Sequence, residues 1–294
     1  MSRYTLLLFI SFLLVGVGIL FYQYRSFRSP LLFLSQEDPI VEIVVANPQL
    51  NAIPSIDQPA YESMASADVY LNDAGFGLAV EAGNQVRFYP YQILVWHGVV
   101  NDELNGEPLL VTYDPLCNSG LVYRREIHGE EETFGVSGKL WNNNTLLFDT
   151  STESLWSQLT SEAIQGEFTD TRLDRYPSQV MTWTQFKTQY SGEQVLSRET
   201  GHVRDYTQNP YEQAEYETSS AIWFPLSEED TRLNPKSLVF GLEREGIVSA
   251  FPVDSWSEFD TIMEQMEDGD ILQPSFWFCW ASLHPGTEIY SLND

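Results

Sequence analysis

The first pattern along the chain is an unbroken apolar run, with no charged residue from Tyr4 to Tyr24. Its "LLLFISFLLVGVGILFYQY" supplies about 20 apolar or weakly polar positions, enough for a helix crossing a hydrocarbon core of roughly 30 Å. A cleaved signal peptide would end in small residues, whereas "GILFYQYRSF" is bulky at that place. Residues 1–28 are therefore expected to be an uncleaved N-terminal transmembrane anchor, with Tyr22 and Tyr24 at the membrane interface. Residues 29–52, with Pro30, Pro39 and Pro48, have no long period and read as an extended linker.

From residue 53 to 294 the pattern changes to short alternating stretches, the mark of strands. "GFGLAVEAGNQVRFYP" predicts a hairpin around Ala82-Gly83-Asn84, and Asn105-Gly106 introduces the strand "EPLLVTY". "LVYRREI", "ETFGVSGKLW" and "TLLFDT" follow, the last two reversed by Asn142-Asn143-Asn144. Turns this short join antiparallel neighbours. Helical spacing is rarer: "PAYESMASADVYL" fits a short helix, and "MTWTQFKTQY" sets Trp183, Phe186 and Tyr190 on one face behind a Thr182–Gln185 capping box. Ser255 and Glu258 form the same box before a helix ending at Gly269. "DTSTESLWSQ" resembles a helix start capped by Ser151 or Thr152, and "FWFCWASLHPG" reads as an aromatic strand. The expected fold is a single α+β domain, a largely antiparallel sheet with a few short helices.

Two hairpins also resemble each other. Phe76–Pro90 and Phe240–Pro252 share Phe-Gly-Leu, a polar tip with glycine and Val-x-x-aromatic-Pro, the second tip being two residues shorter. Either a hairpin–helix unit is duplicated, or such hairpins drift toward one composition.

Composition narrows the partners. The formal charge is −27 with three lysines in the whole chain, which excludes a phosphate-binding basic stripe and hence a nucleic-acid partner. Residues 29–294 hold 12 basic and all 42 acidic side chains, which favours an extracytoplasmic position for the domain, tethered to the membrane through residues 4–24. No Gly-rich phosphate loop, G-x-S-x-G elbow or H-E-x-x-H helix is present.

Four histidines and two cysteines carry the remaining chemistry. His97, in "ILVWHGVVND", is either a core imidazole paired with a carbonyl, Asn101 or Asp102, or a functional group. Cys117 follows Asp114 by three residues at a strand end; it is either an inert buried thiol or a thiolate activated by an imidazole. Cys279 either pairs with Cys117 in an oxidising compartment or is simply buried. His128 in "EIHGEEET" belongs on an exposed turn. Arg198 and Arg204, beside Glu199 and Asp205, read as an anion clamp or as internal ion pairs.

"QILVWHGVVNDELNGEPLLVTYDPLCNSGLVY" resembles the bacterial and archaeal family catalogued as domain of unknown function 3179, whose members read WHEIVND and then TYCPLCGT. Further blocks stand in family order: "IPSIDQP", "FGVSGKLWNNNTLLFDTSTESLWSQ", "LSRETGHVRDYTQNPY" and "FWFCWASLHPGTEIY". The resemblance implies architecture and candidate positions rather than a reaction. Where the family has Cys-x-x-Cys, this chain has Asp114 and Cys117, so no dithiol cycle operates within that motif. Three functional classes follow. The first is a metal- or cofactor-binding site of His97, Asp114 and Cys117 with His284, holding Cu, Zn or Fe. The second is an enzyme with Cys117 as nucleophile, His97 as base and Asp102 or Asp114 as orienter. The third is a non-catalytic interaction domain.

Overall fold

The computed structural model describes residues 43–211, 216, 218–253, 262, 267 and 270–290. The anchor expected at residues 4–24 and the helix expected from Ser255 lie outside these residues.

In chain order, β1 (Ile43–Val45) falls within the segment read as a linker, and β2 (Tyr61–Ser63) runs into α1 (Met64–Ala67), whose first turn is capped by the Ser63 hydroxyl. β3 (Phe76–Ala82) and β4 (Gln85–Pro90) form a hairpin followed by α2 (Tyr91–Leu94). β5 (Val99–Leu104), β6 (Glu107–Asp114) and β7 (Ser119–Arg124) make a meander. Its first reversal is Asn105-Gly106, both at positive φ (54° and 82°), the conformation that Asn and Gly adopt most easily. β8 (Glu126–Ile127) and β9 (Glu130–Glu131) form a small ribbon. β10 (Phe134–Trp141) and β11 (Asn144–Asp149) reverse at Asn142 and Asn143, and β12 (Leu155–Ser157) and β13 (Ala163–Gln165) extend that sheet. β14 (Gln179–Thr182) leads into α3 (Trp183–Gln189) and β15 (Gln194–Leu196). A second hairpin, β16 (Leu238–Arg244) and β17 (Ile247–Pro252), precedes β18 (Gln273–Phe276), α4 (Trp277–Leu283) and β19 (Glu288–Ile289).

The sheets are β1-β10-β11-β12-β13, β5-β6-β7, β14-β3-β4-β15-β2 and β18-β16-β17-β19, besides the ribbon. Pairing is antiparallel except at β4–β15 and β17–β19. The capping box expected for α3 is present, with Thr182 and Gln185 each satisfying the other's backbone N–H.

Two units of the domain are topologically equivalent. β14-β3-β4-β15 and β18-β16-β17-β19 share both strand order and strand directions. The hairpins match residue for residue, 76–82 and 85–90 against 238–244 and 247–252, a constant step of 162. The strand–helix–strand units begin at 179, 183 and 194 against 273, 277 and 288, a constant step of 94. Even the turns before the hairpins agree. Ala74 N donates to Asn72 Oδ1 and Lys236 N to Asn234 Oδ1, while Trp183 N and Trp277 N donate to the carbonyls of Gly75 and Ser237. The register read from Phe-Gly-Leu is thereby corrected. The hairpin tips are equally long, Gly77 faces Pro90 as Val239 faces Pro252, and the second Phe-Gly-Leu is displaced by two residues.

The first unit carries β5 to β13 as an insertion, and the second unit packs against it. α4 buries all seven of its residues, sharing one core with Leu121, Tyr123, Val136 and Trp156 of the insertion. That is why "FWFCWASL" folds as a helix and not as the expected strand: a helix covered on every side has no polar face to reveal a 3.6-residue period. The expected helix start at "DTSTES" is also corrected. Asp149 Oδ1 accepts from Thr152 N and both neighbouring hydroxyls, Oδ2 accepts from the Trp156 indole at 2.9 Å, and the chain turns directly into β12.

Candidate functional site

The turn Asp114-Pro115-Leu116-Cys117-Asn118 joins β6 to β7. Asp114 is fully buried; Oδ1 accepts from Leu116 N at 2.9 Å, and Oδ2 accepts from Asn144 Nδ2 at 2.9 Å and Thr145 N at 2.7 Å. Its short side chain closes its own turn and ties that turn to the β10–β11 reversal. Burial raises its pKa to about 6, against the lowering effect of the Thr145, Leu116 and Asn144 hydrogen bonds.

Cys117 is joined to Cys279 of α4 by a disulfide, with Cα atoms 5.6 Å apart. Both residues are fully buried, and the Cys117 carbonyl accepts from Phe276 N at 2.7 Å. Of the two readings of Cys279, pairing is the one found. The sulfur of Cys117 has no thiol to ionise in this state, which corrects its reading as a nucleophile or thiolate ligand.

His97 is also fully buried. Nδ1 lies 2.8 Å from the Pro54 carbonyl, which only accepts, so the proton sits on Nδ1. Nε2 is then an acceptor, and the Tyr206 hydroxyl 2.7 Å away donates to it. The Thr200 hydroxyl, 2.6 Å from that of Tyr206, completes the chain by donating in turn. Burial lowers the His97 pKa to about 4, so the ring is neutral. Asp102 does not orient it; both its carboxylate oxygens bind Arg87 Nη1 at 2.9 Å, and Tyr89 donates to it as well.

The remaining candidates stand apart. His284 ends α4 with its ring on Trp280, the centroids 4.0 Å apart. Arg198 lies over the Tyr70 ring at 4.2 Å, and Arg204 donates to the neighbouring Val203 carbonyl. Neither expected arrangement is found: the two guanidiniums have different surroundings, and no ion pair among the described residues includes them. No cluster of three His, Cys, Asp or Glu side chains among the described residues is placed to hold a metal ion. His97, Asp114, Cys117 and His284 are thus not gathered into one site. His128 does sit exposed on a turn, at φ 52°.

The same turn borders two cavities instead. The larger, about 650 Å³, is lined by Tyr91, Gln92, Tyr113, Asn118, Gln208 and Asn209 among others, and every described lining residue is uncharged. The smaller, about 180 Å³, is walled by Leu116, Val136, Leu140, Tyr211 and Trp223, with Asp114 beside them. Val95 and Tyr113 belong to both walls. Tyr113 stacks on Tyr91 at 4.0 Å and is steered by a 3.2 Å hydrogen bond to Asn118 Oδ1. Gln92 Nε2 donates to the Tyr70 and Tyr206 carbonyls at 3.2 and 2.9 Å, which holds two loops around the cavity. The Tyr91 hydroxyl lies against Gly120, where any Cβ would come within 2.2 Å of it. Sequence reasoning centred on soft ligands missed these neutral residues; their one local signal is the aromatic and amide content of "YPYQILVW".

Fold and site together define a mostly antiparallel α+β domain with two topologically equivalent units, covalently closed across its insertion and hollowed beside the Asp-Pro-Leu-Cys turn. The model of the family described as "Protein of unknown function (DUF3179)" matches residues 50–273, and the chain belongs to that family. No curated protein and no solved structure matches the chain.

Proposed function

We propose that this chain is a membrane-tethered, extracytoplasmic binding module, built by duplication of one hairpin and strand–helix–strand unit, that holds an uncharged polyhydroxylated ligand such as a saccharide segment. The observation that carries the reading is the wall of the 650 Å³ cavity, where the stacked rings of Tyr91 and Tyr113 stand beside the amides of Gln92, Asn118, Gln208 and Asn209. Aromatic faces cover the C–H surface of a sugar ring, and the amides divide the bonding to its hydroxyls: Gln92, whose Nε2 is committed to two carbonyls, accepts through Oε1, while Asn118, whose Oδ1 takes the Tyr113 hydroxyl, donates through Nδ2. The Cys117–Cys279 bond supports an oxidising compartment, and the apolar run from Tyr4 to Tyr24 supports the tether.

Titration calorimetry of the oxidised full chain with neutral oligosaccharides tests the ligand. Saturable binding that weakens at least about tenfold in Tyr113→Leu, equivalent to about 1.4 kcal/mol, is the expected result. A folded protein that binds no neutral oligosaccharide overturns it. Protease treatment of intact cells tests the orientation: digestion is expected, and full protection refutes an outward-facing domain.

A further inference from the structure

β14 and β18 are equivalent edge strands of their sheets, and only β18 has its outer edge closed. Trp183 N donates to the Gly75 carbonyl in continuation of the β3–β14 register, while Thr182 N turns to its own Gln185 side chain. Peptide groups of an antiparallel pair face the partner at alternate residues, so those of Gln179 and Met181 face β3 and the N–H and C=O of Val180 face away from it. In β18 the same alternation, fixed by the bond from Trp277 N to the Ser237 carbonyl, turns Pro274 and Phe276 outward. Phe276 N donates to the Cys117 carbonyl at 2.7 Å, and Pro274, at the position equivalent to Val180, has no N–H to offer. The edge of β14 has neither device.

The neighbour that could have covered that edge is β7, and it parts from the chain just before. β7 runs antiparallel to the segment entering β14, with Arg124 N donating to the Asp174 carbonyl and Tyr176 N to that of Val122, both at 2.8 Å. The next rung would join Ser178 to Gly120, and no hydrogen bond joins them. A cleft of about 280 Å³ opens there, lined by Gly120, Ser178, Gln179 and Val180, with Phe240 and Leu272 of the second unit in its wall. Successive strand residues point to opposite faces, so a cleft that touches Ser178, Gln179 and Val180 together runs along the edge of the strand. Gln179 is exposed and Ser178 and Val180 are half-buried, which leaves this edge open to solvent.

A free strand edge within a cleft is matched by another extended backbone, which donates and accepts at the same spacing. Charge then selects among peptides. Glu81 also lines the cleft; its carboxylate takes the Tyr190 hydroxyl, and no ion pair among the described residues includes it, whereas Asp270 is held by Arg244. The formal charge of −27 repels a second copy of this chain and acidic peptides alike. We propose that the outer edge of β14 binds an extended segment of another protein in which Lys or Arg alternates with small apolar residues, its backbone pairing with the N–H and C=O of Val180 and a cationic side chain meeting Glu81. This site is separate from the neutral cavity, and its test uses no saccharide, so either can fail alone.

The probe is the blocked peptide acetyl-Val-Lys-Val-Lys-Val-amide, titrated into ¹⁵N-valine-labelled full chain. The Val180 amide signal is assigned by its absence from Val180→Pro, a substitution that takes no hydrogen bond from the β3–β14 ladder and copies Pro274. A saturable shift of that signal is expected, with affinity roughly tenfold or more weaker in Val180→Pro and weaker also in Glu81→Gln. The same peptide N-methylated at every residue keeps its side chains, loses its backbone donors and should not bind. No saturable shift at Val180 overturns the proposal, as does a Val180→Pro protein or an N-methylated peptide that binds like the original. A peptide with Glu in place of Lys that binds equally well overturns the basic partner. The wild-type titration and the N-methylated peptide need no variant, so misfolding of Val180→Pro does not remove the test.

Discussion

Cys117 and Cys279 are bonded across 162 residues of chain, the first in the turn that walls both cavities and the second in the buried helix α4. Closing so long a loop restricts the unfolded chain far more than the folded one. Replacing either cysteine by serine is expected to lower stability by about 2–5 kcal/mol, measured as a drop in the guanidinium midpoint under non-reducing conditions. The oxidised protein, denatured and treated with a thiol reagent, should incorporate no label. Stoichiometric labelling of two thiols in protein trapped directly on cell lysis would remove the bond from the native state.

Asp114 gives a pH dependence of unusual sign. Its pKa in the folded chain, about 6, lies above the ordinary 3.8, so folding favours the protonated form. The group's contribution is fully present below about 3.8 and is lost as pH rises through 6, on the order of 3 kcal/mol in all. Asn at this position accepts on one oxygen and turns a donor toward either Leu116 N–H or the Asn144 and Thr145 donors, costing about 1–3 kcal/mol. The Asp114→Asn protein should therefore be less stable than wild type, by a gap that narrows from pH 5 to pH 7.5. A gap that widens over that range would reverse the assignment.

How much of this was readable in advance depends on where the chain's signals are local. The capping box at Thr182, the Asn105-Gly106 reversal and the β10–β11 hairpin are short-range patterns, and all three stand as read. α4 was hidden because burial on all sides erases its period, and β12 because Asp149 uses its oxygens to shape a turn instead of capping a helix. The internal equivalence was half visible. The shared Phe-Gly-Leu caught the eye at the wrong register, while the true one is marked by Asp68-x-x-Leu71-Asn72 against Asp230-x-x-Leu233-Asn234. The metal site failed for a different reason: spacing along the chain said nothing about which neighbour each side chain would take, and Asn144, Tyr206 and Cys279 took them.

The two units pack the same frame with different volumes. Phe88 and Phe186 fill the first, ring centroids 4.7 Å apart, over the Cβ of Ala79. The equivalent residues in the second are Ala250, Trp280 and Gly241, and a Cβ on Gly241 would stand 2.1 Å from the Trp280 ring. Gly241→Ala should thus cost about 1–3 kcal/mol by forcing the indole off its site, seen as a lower thermal midpoint. Gly241→Ala combined with Trp280→Phe should regain part of that loss, since the pair then approaches the first unit. A double variant no more stable than the two single losses added together would refute this compensation.

His97 works against Asp114 along the pH axis. Its pKa, about 4 in the fold, lies below the ordinary 6.5, so the fold favours the neutral ring. Stability from this group is present above 6.5 and is lost as pH falls through 4, whereas that from Asp114 grows over the same descent. The His97 ring signal in a ¹³C-histidine-labelled protein should accordingly keep its neutral position down to about pH 5. Tyr206→Phe conserves the ring volume and removes the hydroxyl that donates to Nε2, leaving a buried acceptor unpaired at a cost of about 1–3 kcal/mol. Because that donor opposes protonation at Nε2, its loss should also move the His97 titration upward. A Tyr206→Phe protein of unchanged stability and unchanged His97 titration would mean that the imidazole has another partner.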